Sequence, residues 1–492
     1  MDADSISRRS LIFSLAAAPL AAQQDGWIPL FDGRTLEGWH AGGAQESWKV
    51  VDGQIAADGP QSHLYYSGPV RNADFKNFEL EVEARALASA NSGVYFHTAY
   101  QEKDWPIKGF EVQINNTQAR ERKKTASLYN VRNIYKQFVG DDEWFKLHIS
   151  VRGRNIQVRL NGMLAVDYVE PDPPYIPPGM ETGRRLSSGT FALQCHDPGS
   201  KVFFRSVRVR PLPDNLADVG LKPPVADDTF RRIIDLGVRG YPMLDLHVHL
   251  REGLTLEQAL AKSRRDGLMY GIAQNCGLGQ PVTDDEGARR FAASLHRLPV
   301  FIGMQAEGRE WVQMFSRQTV ALFDYVCTDA MTWTDNRGRR MRLWIPSEVG
   351  TISNPQEFMD TLVERTVGIL EREPIDILVN PTYLPDQLAA DYERLWTDER
   401  RRRVASVAAR EGVAVEINDR YKLPSPSFIR LMKELGCKFT LGTNNSGPGD
   451  LGRSEYGLRM IEELKLTPQD FWVPLAPGSS KAVERKGSAL RS

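Results

Sequence analysis

Two histidines lie two residues apart in Leu244-Asp245-Leu246-His247-Val248-His249-Leu250, a spacing that could do chemistry. Apolar and polar residues alternate there, which is the period of a β-strand, where residues two apart share a face. Asp245, His247 and His249 then project together, while Leu244, Leu246, Val248 and Leu250 pack the other way. Two imidazoles at a strand end either begin a divalent-metal site or form a buried, hydrogen-bonded pair. Further apolar runs downstream also end in polar residues: Asn275, Glu307, Asp329, Asn380, Glu416 with Asn418, and Asn444 with Asn445. Where strands alternate with helices, chemistry collects at the C-terminal strand ends, so this series marks a pocket.

A second set lies in the first half. Gly109-Phe110-Glu111-Val112-Gln113-Ile114-Asn115 puts Glu111, Gln113 and Asn115 on one face, opposite Phe110, Val112 and Ile114. Such a row is either a solvated face or a sugar-binding face. In Asn91-Ser92-Gly93-Val94-Tyr95-Phe96-His97, Tyr95 and His97 share a face, as do Gln194 and His196 further on. Glu79, Glu81 and Glu83 alternate with apolar partners and read most simply as a solvated face.

These residues need two kinds of scaffold. From residue 27 to about 210 the pattern is strand and turn. Strands are expected at 47–51, 77–85, 93–97, 110–114, 145–152, 155–160 and 190–194, separated by turns such as Asp52-Gly53, Asn161-Gly162 and Pro198-Gly199. Many short strands with little helical period mean an all-β sandwich or jelly roll. Pro211-Leu212-Pro213 and Lys222-Pro223-Pro224 then mark a connector. Beyond it, helices expected at 255–266, 285–295, 354–371, 394–411 and 425–435 alternate with short apolar strands at 270–275, 299–304, 325–328, 375–380, 413–417 and 438–441. That alternation predicts an α/β barrel or a distorted relative of one. Trp311, Trp333 and Trp344 follow strand ends and either stack on sugar rings or pack beneath loops.

The whole chain sets bounds. Its 492 residues exceed what one core holds. The 62 basic and 63 acidic residues leave a net charge of −1, so no global field attracts nucleic acid or an anionic membrane. Four cysteines, far apart and without a Cys-x-x-Cys pair, do not suggest a disulfide framework. Arg8-Arg9 before a short Ala/Leu run reads as a twin-arginine export signal, too short to span a bilayer. The expected organisation is a signal at 1–22, a sandwich at 27–212, a linker at 213–235, a barrel at 236–477 and a disordered tail at 478–492. The expected location is the periplasm or the outside of the cell.

Phe31-Asp32-Gly33, Leu36-Glu37-Gly38-Trp39, Asn91-Ser92-Gly93-Val94-Tyr95-Phe96, Gly109-Phe110-Glu111-Val112-Gln113-Ile114, Leu160-Asn161-Gly162 and Leu193-Gln194-Cys195-His196 occur in that order. Together they resemble the 3-keto-disaccharide hydrolase domain family, a concanavalin-like jelly roll. The resemblance implies an enzyme acting on glycosides oxidised at the sugar 3-position. It implies Glu111 and His196 as catalytic residues, with Tyr95, His97, Gln113 and Arg205 shaping the site. A ketone at carbon 3 acidifies the carbon 2 hydrogen. Its removal lets the aglycone leave carbon 1, and hydration of the enone completes a net hydrolysis. This needs a general base, a general acid and a donor for the enolate oxygen, for which Arg205 is a candidate.

The second half resembles the polymerase-and-histidinol-phosphatase (PHP-like) metal hydrolases, a distorted TIM-type barrel. The matching stretches are Asp245-Leu246-His247-Val248-His249, Glu416-Ile417-Asn418-Asp419-Arg420-Tyr421 and Lys438-Phe439-Thr440-Leu441-Gly442-Thr443-Asn444-Asn445. Asn275, Asn380 and Asn444 replace residues that are commonly histidine or aspartate there, and amides are weak ligands for a multi-metal site. The resemblance leaves two alternatives: one divalent metal, such as zinc or manganese, on His247, His249 and Glu307 with or without Asp329, or a metal-free descendant. Asn380, Glu416, Asn418 and Asn444 form the rest of a second pocket, which could also recognise sugar hydroxyls. The leading expectation is an exported enzyme cleaving 3-keto-glycosides. The alternative is a metal-dependent phosphoesterase or related hydrolase with a carbohydrate-binding jelly roll. In both, the partner is a small carbohydrate or glycoside, with no nucleic acid and no membrane span.

Overall fold

The structure, a computed structural model, describes residues 26–180, 183–216, 220, 222–334 and 338–491. The expected export signal lies outside the described residues. The first half is two antiparallel sheets packed face to face. The outer sheet runs, edge to edge, Met163–Val169, Asn155–Leu160, Trp144–Arg152, Phe78–Ala86, Val202–Pro211, Gln54–Ala57 and Trp48–Val51, with Ile28–Pro29 also paired to Val202–Pro211. The inner sheet runs Trp39–Gly43, Ser62–Tyr66, Thr190–Cys195, Ser92–Thr98 and Phe110–Ile114.

Strict alternation makes this sandwich. Phe78, Leu80, Val82 and Ala84 point into the core and meet Val94, Phe96, Phe110, Val112 and Ile114 from the inner sheet. Each large apolar side chain so buried contributes roughly 1.5–3 kcal/mol. On the opposite face of Phe78–Ala86 the glutamates find arginines: Glu79 pairs with Arg152 and Arg210, Glu81 with Arg208, and Glu83 with Arg205.

The second half carries seven parallel strands. In sheet order they are Leu244–Val248, Met269–Gly277, Phe301–Glu307, Tyr325–Thr328, Ile377–Leu378, Ala414–Asn418 and Phe439–Gly442. The first and last nearly close a ring. Asn444 N–H donates to the His247 carbonyl at 2.8 Å, and Thr443 N–H to Asp245 Oδ1 at 2.9 Å. The ring has seven strands among the described residues where a TIM-type barrel has eight, and the next element after Gly442 is the helix Glu455–Glu463.

Local signals set the surrounding helices. Leu256–Asp266 starts at a Thr255/Gln258 capping box and stops at Gly267, whose φ of 80° suits glycine. Asn354 caps Pro355–Arg372, and Thr397 caps Asp398–Glu411, which splits the single helix expected from 394.

The helix Asp228–Val238 leads from the connector into the first barrel strand, and the Asp227 side chain caps it by accepting from Phe230 N–H at 2.8 Å. The expected disordered tail is packed. Ala482–Lys486 is helical, Ala482 N–H donates to Asp376 Oδ1 at 2.7 Å, and Val483 and Leu490 are buried. Three apolar residues within a small, basic segment suffice to dock it. The two halves also touch: Arg132, buried, donates from Nε to the Arg264 carbonyl at 3.0 Å, and Tyr135 O–H donates to the Tyr241 carbonyl at 3.1 Å.

Candidate functional site

On the inner sheet, antiparallel register sets Glu111 directly across from Tyr95, and Gln113 across from Gly93. Gln194, from the neighbouring strand, donates from Nε2 to Tyr95 Oη at 2.9 Å and to Glu111 Oε1 at 3.3 Å. Gly93 makes the room: a methyl group there would sit 2.5 Å from Glu111 Oε1. Glu111 is buried, and burial raises its pKa. Nearby Arg184, the Tyr95 hydroxyl bond and His196 pull in the other direction without cancelling that rise. Burial, then the charge of Glu111, holds the Tyr95 hydroxyl well above its ordinary range.

His196 stands at the rim with its side chain about one-third exposed (32%), and its Nδ1 is 2.6 Å from Asp197 Oδ2. Its ring lies 5.0 Å from Trp105, which is 5.6 Å from His63, which in turn is 5.4 Å from Tyr95. Burial, with the charge of His196, drops the pKa of His63 to about 3, so this imidazole is neutral. Five buried polar atoms on or beside this face lack a hydrogen-bond partner among the described residues: His63 Nε2, Tyr65 Oη, Gln113 Oε1, Gln194 Oε1 and Arg184 Nε. Left unpaired, each such atom costs about 1–3 kcal/mol. A ligand dense in hydroxyl and carbonyl groups would satisfy them.

The structure brings Glu111, His196, Tyr95 and Gln113 together. It moves two expected residues elsewhere. His97 turns into the core, 5.7 Å from Phe78 and 5.5 Å from Phe96, with Nε2 2.8 Å from the Lys76 carbonyl. The cause is a β-bulge. Phe96 and His97 together face Phe191 alone, and His97 has a φ of 54°, so strict alternation fails at that residue. Arg205 belongs to the outer sheet, where it donates to Glu83 Oε2 at 2.6 Å and covers Trp144 at 4.4 Å. Sequence reasoning missed His63, Trp105 and Arg184. The alternation in Ser62-His63-Leu64-Tyr65-Tyr66 was the available signal for His63.

A second constellation sits at the C-terminal strand ends of the barrel. His247 Nδ1 lies 2.6 Å from Glu416 Oε1, and its Nε2 lies 3.0 Å from Gln305 Oε1. Burial pulls the His247 pKa down, but the Glu416 carboxylate and the Gln305 bond outweigh it, so the net shift is upward. Both partners are oxygen acceptors, so each ring nitrogen of His247 faces a group to which it can donate. His249 Nδ1 donates to the Ala273 carbonyl at 2.9 Å. Glu307 accepts from Gln305 Nε2 at 3.0 Å, Asn275 Nδ2 at 3.1 Å and Thr332 Oγ1 at 3.3 Å. Asp329 accepts from Asn380 Nδ2 at 3.0 Å and from Met331 N–H at 2.9 Å. Burial raises both carboxyls, and the charge of Asp329 raises Glu307 further.

The resemblance leaves a metal on His247, His249 and Glu307, with or without Asp329, as one alternative. Among the described residues no three histidine, cysteine or carboxylate side chains are grouped as metal donors, and His247 is spent on its two partners. Asn380 and Asn444 line a cleft with His249, Glu307 and Asp329, whereas Glu416 and Asn418 lie behind it. Asn418 bridges Asn380 Oδ1 and Glu416 Oε2 from beneath, at 3.1 and 2.9 Å. Of the three tryptophans, Trp311 and Trp333 are buried, while Trp344 is 38% exposed and lines the cleft.

Residues 26–210 match the family model described as a 3-keto-alpha-glucoside-1,2-lyase-like domain. The match spans the sandwich from its first strand almost to its last residue. A curated relative from Bacteroides thetaiotaomicron, named 3-keto-disaccharide hydrolase, is 34% identical over 100 residues, which are 17% of this chain and 33% of the relative. The chain thus spans about a third of the length of that relative. Among solved structures, the domain is similar to one from Parabacteroides distasonis provisionally assigned as a glycosyl hydrolase. That pair shares 21% identity over 38% of this chain and 94% of the other, with a TM-score of 0.33. It is also similar to a carbohydrate-binding module from Bacillus subtilis, at 17% identity over 35% of this chain and 95% of the module, with a TM-score of 0.26.

Proposed function

We propose that the chain cleaves 3-keto-glycosides on the inner sheet of its sandwich domain, by proton abstraction, elimination and hydration. The observation that carries this is Glu111: a carboxyl buried on a polar face, bonded by Gln194 and the Tyr95 hydroxyl and set among unpaired polar atoms. The family match of residues 26–210 supports the substrate class.

The ionised Glu111 removes the proton from carbon 2. The electron pair moves to the carbon 3 oxygen as an enolate, and then expels the aglycone from carbon 1. His196 gives the departing oxygen its proton, and water added at carbon 1 of the enone restores the hydroxyl sugar. Arg184, close enough to perturb Glu111, replaces Arg205 as the group opposite the enolate charge. A buried base with a raised pKa suits abstraction from a carbon acid, because a stronger base gains more from the transfer. No helix among the described residues is long and apolar enough to cross a membrane. Export through Arg8-Arg9 is the proposed route to an extracytoplasmic substrate. Among the described residues no metal-donor set in the barrel supports the phosphoesterase reading.

The test is product formation from a 3-keto-glycoside by the parent chain and by Glu111→Gln. A loss of about 10²–10⁴-fold in kcat is expected for removal of a general base. Turnover kept within tenfold would remove Glu111 from the reaction.

A further inference from the structure

The barrel cleft has a volume of about 160 Å³. Pockets for drug-sized ligands run to roughly 300–1,000 Å³, so this smaller cleft suits a single small ring. We propose that the cleft is a second carbohydrate site, which holds one neutral hexose-sized sugar independently of the sandwich.

Three observations support it. First, an acceptor waits there. His249 is 4% exposed, its Nδ1 is used on the Ala273 carbonyl, and its Nε2 has no hydrogen-bond partner among the described residues. With Nδ1 protonated, Nε2 presents a lone pair, which suits a hydroxyl donor.

Second, the lining is mixed in the way hydroxyl groups need. Asn275, Asn380 and Asn444 each carry a donor and an acceptor, and Glu307 and Asp329 add carboxyl oxygens. The amides are held in place: Asn444 Nδ2 donates to Asn380 Oδ1 at 2.9 Å, and Asn380 Nδ2 to Asp329 Oδ2 at 3.0 Å. Two buried carboxyls on the wall disfavour an anion. Arg251 and Arg420 on the same wall disfavour a cation, and Arg251 is held there by donating from Nε to the Asn445 carbonyl at 2.6 Å. A neutral polyol is the class that remains.

Third, Trp344 stands at the mouth with 38% of its surface exposed, an aromatic face where the apolar side of a sugar ring would lie. The site sits at the carboxyl ends of parallel strands, the usual position for ligands in such sheets. It draws on no residue of the sandwich face.

The test is ligand-observed NMR titration of the full chain with D-glucose, D-galactose and D-mannose. At least one hexose should bind saturably. His249→Leu should weaken that binding at least tenfold and Trp344→Ala at least threefold, while Glu111→Gln leaves it within twofold. If His249→Leu does not fold, Trp344→Ala decides, because that side chain is at the exposed mouth. No saturable binding of any of the three sugars overturns the proposal. So does binding that survives both cleft substitutions, and so does binding that falls with Glu111→Gln.

Discussion

Gly93→Ala isolates the placement of Glu111 from its chemistry. Gly93 has ordinary backbone geometry, so alanine brings no φ strain of its own. Its methyl group would lie 2.5 Å from Glu111 Oε1 and 2.9 Å from Cγ. Unstrained non-bonded contacts lie near 3.5–4.0 Å, so the carboxylate must retreat by roughly 1 Å. A displacement of about 1 Å at a reacting group costs on the order of 10²-fold in rate, or about 2.7 kcal/mol of barrier. Overpacking the face costs about 1–3 kcal/mol of stability, partly offset by the smaller unfolded-state entropy of alanine. The assay is kcat and KM on a 3-keto-glycoside, with thermal unfolding followed alongside. We expect kcat to fall about 100-fold with the domain still folded. The same substitution should add almost nothing in a Glu111→Gln background, because both act through one group. Full activity of Gly93→Ala would refute the reasoning. Losses that simply multiply in the double variant would show that the glycine acts through something other than Glu111.

Further outcomes follow from the same geometry. Because the folded state raises the Glu111 pKa above its ordinary 4.5, this carboxyl supports the fold fully below that pH, and the support is lost as pH rises through the raised value. Glu111→Gln should therefore gain stability over the parent between pH 4 and pH 8, and an equal melting shift at both would count against burial as the cause. Arg205→Ala should leave turnover within twofold and cost at most about 1 kcal/mol, since its ion pair with Glu83 is nearly half exposed on the outer sheet. A large kinetic loss would return Arg205 to the site. His247→Leu should cost about 3–5 kcal/mol in urea unfolding, because it leaves Glu416 buried without its partner. A cost under about 1 kcal/mol would mean that Glu416 finds compensation elsewhere.

Period-two patterning made most of the sandwich legible. Glu111, Gln113 and Tyr95 share a face because the strands carrying them alternate without interruption. His97 was lost to the bulge, since one extra residue reverses every facing beyond it and nothing in Phe96-His97-Thr98 announces the insertion. Arg205 was misplaced for a different reason. Alternation shows which residues share a face but not which of two sheets a strand joins, and Val202–Pro211 joined the outer one. In the barrel, reading the strand ends found the cleft: His249, Glu307, Asp329, Asn380 and Asn444 all line it. Their roles were not legible. His247 looks like a ligand in sequence, and only the approach of Glu416 and Gln305, 169 and 58 residues away, shows its nitrogens to be taken.

The near-closed ring has a kinetic consequence. Its last gap is bridged by Thr443 onto Asp245 and by Asn444 onto the His247 carbonyl, with Thr443 and Asp245 198 residues apart in the chain. The other strand pairs join neighbours in sequence order, so they form earlier along the chain than this junction can. The two edges of the gap also carry the cleft, His249 on one side and Asn444 on the other. The cleft is thus completed by the strand junction with the longest sequence separation in the barrel. Amide exchange at Thr443 and Asn444 should report both when the ring seals and when the cleft first exists.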